Sequence, residues 1–483
     1  MMRMISSLFL LLLGTITWQA RAQSGPGPNV IFILADDLGY GDLGSFGQKN
    51  ISTPNLDRMA AQGMRLTRHY AGASVCAPSR CALFTGKHTG HTSVRGNQPK
   101  GQLIDPGETT LPEVFKSAGY TTGLIGKWGL GNKPPNDDPA RNGFDYHYGY
   151  VDMWHAHAFY TEFLYRNGQK VILEGNSTRL NPEAEAVMKR TIPADISMGL
   201  GVNRAKYTPY EFEREALEFI ERNRTKPFFL FYSAVTPHAN TEFKKEGMEV
   251  STYGEFANKD WPDPEKGFAQ MMRDLDNLVG HIFAKLEATG LADNTLVVFT
   301  SDNGPHKEGG HHFDYFDSNG KLRGSKRDLY EGGVRVPTLV WWKNKIQPGS
   351  NSAHVSAFWD WLPTFAHLTG TQTPGGIDGL SILPSLQQRG KQKKHPYLYW
   401  EFYEEGGKQA ALWRNWKLVK LNLEDPTNTK LELYNLAQDE PETNNLASAN
   451  PKIVKRMEGL LQEAHRPFPL VSLFKKDQGK ATQ

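Results

Sequence analysis

The strongest constraint on this chain is a set of apolar runs that each end in polar residues. Asn29-Val30-Ile31-Phe32-Ile33-Leu34 is apolar and largely β-branched, the pattern of a strand buried on both faces. It runs into Ala35-Asp36-Asp37 and then the glycine-rich Leu38-Gly39-Tyr40-Gly41-Asp42. Residues 120–125 repeat the pattern and run out into Gly126-Lys127-Trp128-Gly129. Residues 228–234 deliver Thr236-Pro237-His238, and residues 295–300 end in Ser301-Asp302-Asn303-Gly304. Helical signals lie between these runs. Thr53-Pro54 opens a helix through Ala61, with threonine as the expected cap. Thr110-Leu111-Pro112-Glu113 opens another, closed by Gly119, and Thr208-Pro209-Tyr210-Glu211 reads as a capping box. Phe212, Ala216, Phe219 and Ile220 make one apolar helical face, and Met271, Leu275, Leu278, Ile282 and Leu286 make a second. This alternation predicts an α/β domain around a large mixed, mostly parallel sheet sandwiched by helices. Ligands in such folds gather beyond the carboxyl ends of the strands. Asp36-Asp37, Lys127, His238 and Asp302-Asn303 are therefore expected to converge.

The two ends of the chain read differently. Arg3, an apolar run over residues 5–18 and Ala20-Arg21-Ala22 have the form of a signal peptide, residues 1–22, cut before Gln23. The run is too short to span a bilayer, so the expectation is an exported, soluble mature protein. A net charge of +3 with interspersed signs speaks against a nucleic-acid or membrane-surface protein. Cys76 and Cys81 are the only cysteines. Residues five apart on a helix do not face one another, so no bridge is expected between them. A large exported chain without a disulfide framework points to a bacterial periplasm or exterior.

A catalytic domain is expected over residues 23–376 and a smaller C-terminal domain over 377–483. In the latter, residues 397–402, 410–414, 416–421 and 431–435 read as short antiparallel strands, with a helix over 451–465. Arg389-Gly390-Lys391-Gln392-Lys393-Lys394 reads as an exposed basic connector. Residues 144–166 are crowded with aromatics and histidines of no clear period and read as mostly loop.

Asp36, Asp37, Asp302 and Asn303 offer only oxygen ligands. That suits Ca2+ or Mg2+, and the absence of paired histidines or cysteines argues against zinc. Lys127 and Lys326 are placed to complete a cage for a tetrahedral oxyanion, which fits displacement at sulfur or phosphorus. Cys76-Ala77-Pro78-Ser79-Arg80 opens a short helix ended by Gly86. Cys76 then sits at the positive end of that helix, where free N–H groups and Arg80 favour an anion.

Cys76-Ala77-Pro78-Ser79-Arg80 with Leu83-Phe84-Thr85-Gly86 resembles the C-x-P-S-R…L-x-T-G signature of type I sulfatases. Gly126-Lys127-Trp128-Gly129-Leu130-Gly131 resembles their second signature. Asp36-Asp37, Ser301-Asp302-Asn303-Gly304, Lys326, Tyr330-Glu331-Gly332-Gly333-Val334-Arg335 and Glu432-Leu433-Tyr434-Asn435-Leu436 follow in the family's order. The resemblance covers nearly all the mature chain.

It implies that Cys76 is converted to formylglycine by a formylglycine-generating enzyme. One hydroxyl of the aldehyde hydrate attacks sulfur and the other later expels sulfate. It further implies that Arg80 holds the hydrate and that Asp36, Asp37, Asp302, Asn303 and the modified Cys76 bind calcium. Lys127 and Lys326 bind sulfate, His238 protonates the leaving alcohol, and Asp302 accepts the nucleophile's proton.

One position departs, because Gly129 stands where the second signature often carries a histidine. His157 or His155 is the expected replacement, and His306, His311 and His312 are candidate substrate contacts. The function expected is hydrolysis of a sulfate monoester, with sulfated carbohydrates as the expected substrates. The alternatives are a phosphonate monoester or phosphodiester hydrolase and an unmodified sulfated-glycan-binding homologue.

Overall fold

The structure, a computed structural model, describes residues 27–97, 103–131, 137–182, 185–186, 197–468 and 473. The expected signal peptide, residues 1–22, lies outside the described residues. Ten strands form one mixed sheet in the order Ser350–Ser352, Met64–Leu66, Thr338–Trp342, Thr295–Ser301, Asn29–Ala35, Phe228–Ser233, Thr121–Lys127, Tyr146–Tyr150, Phe163–Arg166, Gln169–Ile172. The five strands from Thr295–Ser301 to Tyr146–Tyr150 run parallel, and the antiparallel pairings lie outside them.

The first strand shows why the sheet needs helices on both faces. Ile31, Ile33 and Ala35 enter one apolar core with Phe212, Phe219, Leu275 and Ile282 of the helices Thr208–Arg222 and Asp263–Ala288. Val30, Phe32 and Leu34 enter the opposite core with Leu83, Phe84, Phe115 and Phe365, which come from Cys76–Thr85, Leu111–Ser117 and Trp361–Thr369. Successive strand residues point to opposite faces, so a run apolar at every position is the signature of this middle layer.

A separate antiparallel sheet follows, Leu398–Phe402, Lys408–Trp413, Trp416–Leu421 and Lys430–Asn435. Trp400, Ala410 and Val419 pack against Tyr70, Val75 and Trp359 of the main body. Tyr399, Ala411 and Leu418 pack against Met457 and Leu461 of the helix Pro451–Ala464. Beneath this interface Lys417 Nζ lies 2.9 Å from Glu331 Oε1 and 3.4 Å from Glu442 Oε1, with all three side chains fully buried.

Three local expectations are corrected. Residues 144–166 are not mostly loop, for they contain the strands Tyr146–Tyr150 and Phe163–Arg166. Thr208 is the first helical residue rather than a cap, and its hydroxyl accepts a hydrogen bond from Tyr150 at 2.9 Å. Thr53 precedes its helix, but its hydroxyl accepts from the Gly44 amide at 3.0 Å. The capping box forms at Thr110 and Glu113. Both cysteines are free thiols.

Candidate active site

Four parallel strands end on one side of the sheet and bring their following residues together. Asp36 and Asp37 follow the first strand, Asp302 and Asn303 follow Thr295–Ser301, Lys127 ends Thr121–Lys127, and His238 follows Phe228–Ser233. Asp37 takes a left-handed backbone (φ 64°), a conformation that aspartate tolerates better than most residues. Its amide donates to Asp302 Oδ1 at 3.1 Å, tying two strand ends directly. The helix Cys76–Thr85 closes the cluster from the other side, with Pro78 in its first turn and Gly86 left-handed at its end (φ 69°). Ser79 Oγ accepts from the Gly72 amide and donates to the Asp302 carbonyl, which fixes the start of the helix against the metal-type residues.

The charges interlock. Arg80 reaches Asp302 Oδ2 through Nε at 3.1 Å and Nη2 at 2.9 Å, and its Nη1 donates to the Lys127 carbonyl and to Ser233 Oγ. Lys127 Nζ lies 2.7 Å from Asp36 Oδ2, and Lys326 Nζ lies 2.9 Å from Asp37 Oδ2. His238 Nε2 sits 3.2 Å from Lys326 Nζ and 3.3 Å from Asp37 Oδ2, while Nδ1 donates to the Ala239 carbonyl. Cys76 is 3% exposed, and its sulfur contacts the Asn97 amide group.

Burial opposes the charge on Asp36, but Lys127, His238 and Arg80 outweigh it and hold that carboxyl well below its usual range. Burial and the neighbouring Asp36 push Asp302 up to about 7, against the pull of Arg80. Burial also raises the Cys76 thiol, countered by Lys127, and burial with Lys326 drives His238 well below its ordinary value.

The donor set fits a hard divalent cation. Among the described residues Asp36 Oδ1 and Asn303 Oδ1 are buried with no hydrogen-bond partner, and such orphaned oxygens are costly unless something coordinates them. Asp36, Asp37 and His238 have ligand atoms within 4.8 Å of one another. Asn303 Nδ2 donates to Asp37 Oδ1 at 2.7 Å, leaving its carbonyl oxygen as the coordinating atom.

Residues 28–371 match the family model described as Sulfatase, and residues 323–466 match N-sulphoglucosamine sulphohydrolase, C-terminal. The chain belongs to the sulfatase family. It is 31% identical to steryl-sulfatase of Rattus norvegicus over 468 residues, covering 84% of this chain and 78% of that one. It is 32% identical to the N-acetylgalactosamine-6-sulfatase of Rattus norvegicus, covering 75% and 66%. A Bacteroides thetaiotaomicron protein solved in connection with the metabolism of multiple glycosaminoglycans superposes with a TM-score of 0.74 at 26% identity, covering 91% and 99%.

Gly129, where the sulfatase signature often carries a histidine, has φ 74°, a region that disfavours any side chain. A Cβ built there would lie 3.4 Å from Arg80 Cδ and Lys127 Cε, so the position faces the cluster. Of the two expected replacements, His157 stacks on His238 with ring centroids 4.7 Å apart. Its Nδ1 is held by Glu242 at 3.1 Å and Thr241 at 3.1 Å, and its Nε2 has no hydrogen-bond partner among the described residues.

His155 is placed elsewhere, its Nε2 bound to Thr161 at 2.7 Å and its ring against Tyr150 and Phe163. His306 stands behind His238, with Nε2 on the Pro237 carbonyl and Nδ1 accepting from the Glu308 amide. His311 pairs with Glu265 at 2.6 Å and stacks on Phe268, and His312 pairs with Asp314. His155, His306 and His311 are thus each held by protein partners.

Four residues of the cluster went unread. Glu308 pairs with Lys326 and Arg327 at 2.7 Å each, and Ser233 holds Arg80. Glu242 orients His157. Asn97 accepts from the Ala77 amide at 3.1 Å and is itself held by Glu404 of the C-terminal sheet, whose carboxylate accepts from the Asn97 amide at 3.2 Å.

Proposed function

We propose that this sulfatase-family chain hydrolyses sulfate monoesters of a carbohydrate, using Cys76 converted to formylglycine. The observation that carries the reading is one buried cluster in which Cys76, Arg80, Lys127, His238 and Lys326 surround four oxygen-bearing side chains, two of them with orphaned oxygens. Asp36, Asp37, Asp302, Asn303 and the modified residue 76 hold Ca2+, with Mg2+ the alternative ion, and a hard cation there supplies charge stabilisation for the sulfuryl oxygens. The formylglycine hydrate supplies the nucleophilic hydroxyl.

The chain's own side chains then divide the work. Arg80 fixes the helix start against Asp302 and holds the hydrate. Lys127 and Lys326 are the two ammonium groups that take the remaining sulfate oxygens. Asp302 is the carboxylate beside Arg80 that accepts the attacking hydroxyl's proton. His238 keeps its Nδ1 proton on the Ala239 carbonyl and turns Nε2 to the cluster, so it acts as an acid once Nε2 has taken up a second proton, which it passes to the departing alcohol oxygen. His157, locked by Glu242 and Thr241 beside His238, takes the part of the histidine missing at Gly129. Carbohydrate rather than steroid is favoured by the glycosaminoglycan context of the solved relative, whereas the aromatics of residues 146–160 lie largely in the core.

Mass spectrometry of the Cys76 peptide from the native host, with turnover of defined sulfated saccharides, tests this. The expected result is an aldehyde at residue 76 and released sulfate, both absent in Cys76→Ala. An intact thiol without turnover makes the protein a binder of sulfated glycans. A higher kcat/KM on phosphonate monoesters than on sulfate esters makes it a phosphonate hydrolase.

A further inference from the structure

A cleft of about 540 Å³ lies where the C-terminal sheet meets the main body, and none of the catalytic candidates lines it. Arg68, Lys394 and Arg414 supply its charge, with His354, His395 and Tyr397 between them, and no carboxylate is part of the lining. Among the described residues none of these three cations has a carboxylate partner. Arg68 Nη1 donates to Asn415 at 3.2 Å, while its Nη2 and His354 Nε2 are withdrawn from solvent with no hydrogen-bond partner. Arg414 lies over the Trp413 ring, 4.8 Å from its centroid. His395 is already taken, its Nε2 lying 2.7 Å from the buried Asp360. Three cations without a carboxylate partner among the described residues, one of them with an orphaned N–H group, describe on one concave surface a site for an anion.

The basic connector over residues 389–394 leads directly into this cleft through Lys394. Leu398 and Leu412, which pair at one end of the C-terminal sheet, also line it. At the other end of the same two strands Phe402 pairs with Lys408, and the turn between them reaches the catalytic rim. There Glu404 meets Asn97 and Lys408 Nζ donates to the Arg327 carbonyl. A strand of this length spans about 13 Å, so cleft and catalytic rim are one strand length apart along a single element.

We propose that this cleft is a second binding site for a polymeric sulfated saccharide, gripping sulfate groups of the chain whose other end enters the catalytic pocket. The choice of occupant rests on the carbohydrate reading above. A sulfate half-ester keeps its charge across the physiological range, and a planar guanidinium matches its oxygens in pairs. Tyr397 offers a ring face to the sugar between them.

The test compares wild type with the triple variant R68A/K394A/R414A, using dextran sulfate as probe and unsubstituted dextran and polyphosphate as controls. Wild type is expected to bind dextran sulfate in a salt-sensitive manner and to ignore dextran. The triple variant should bind dextran sulfate about tenfold more weakly, with kcat/KM on nitrophenyl sulfate unchanged. The glutamine version R68Q/K394Q/R414Q, matched to wild type in Tm, must give the same loss. Equal dextran sulfate affinity in wild type and variants overturns the proposal. Polyphosphate binding lost in parallel overturns it too, since the cleft is then a general polyanion patch. If nitrophenyl sulfate is not turned over by wild type, the catalytic reading fails, while the difference in dextran sulfate affinity still decides the cleft.

Discussion

At the scale of single residues, His157 and His155 make opposite claims on one sequence segment. His157 rests on His238 and is steered by Glu242, whereas His155 is enclosed by Tyr150 and Phe163. His157→Ala is expected to lower kcat by about 10²–10⁴-fold, the range for losing a positioned acid or base, with KM little changed. His155→Ala should leave kcat within a few-fold and lower Tm instead. Steady-state kinetics beside thermal melts separate the two, and equal kinetic losses would refute the assignment. Glu242→Ala should reduce kcat with Tm nearly intact, and Glu242→Asp should recover part of it. The motif residues were legible because each lies within a short contiguous signature or at the end of an apolar run. Glu242, Glu308, Ser233 and Asn97 were not, because each belongs to the cluster only through contacts made after folding.

At the scale of elements, buried parallel strands announced themselves and partly polar ones did not. Tyr146–Tyr150 carries His147 and Gly149, which break the apolar run, and only pairing with Thr121–Lys127 makes it a strand. The Thr208 cap failed for a related reason, since Tyr150 claimed the hydroxyl that local sequence had offered to the helix. The seam between the two sheets carries its own prediction. Lys417 compensates Glu331 and Glu442 where all three are fully buried, and removing one partner of such a group costs about 3–5 kcal/mol. Lys417→Ala should therefore lower stability by roughly that amount in denaturant melts, more than any exposed lysine such as Lys391. A change under about 1 kcal/mol, the range of a surface pair, would mean that the seam is not held by this charge.

At the scale of the whole molecule, a few buried acids set how stability responds to pH. Burial raises Glu249 to about 7, against hydrogen bonds from Gly201 and Asn240 and the pull of Arg204. Its folded value lies above its unfolded one of 4.5, so the folded state binds the proton more tightly. Its contribution to stability therefore falls as pH rises from about 4.5 to about 7 and is constant beyond. Glu249→Gln should match wild type near the lower limit and gain Tm relative to it across that window. A gain that is flat or reversed with pH would show the carboxylate to be ionised in the fold. The alternation of strands and helices was enough to specify this architecture, but not which distant loops complete it.

The contact between Asn97 and Glu404 sets an order of events during synthesis. Cys76 leaves the ribosome early, while the turn that walls in its neighbour comes from the last fifth of the chain. At roughly 5–20 residues per second the thiol stays accessible for tens of seconds before Glu404 exists. Afterwards it lies in a helix, nearly sealed from solvent. Under the function proposed above, an enzyme that rewrites this side chain would therefore meet it exposed only in a chain that has not yet folded.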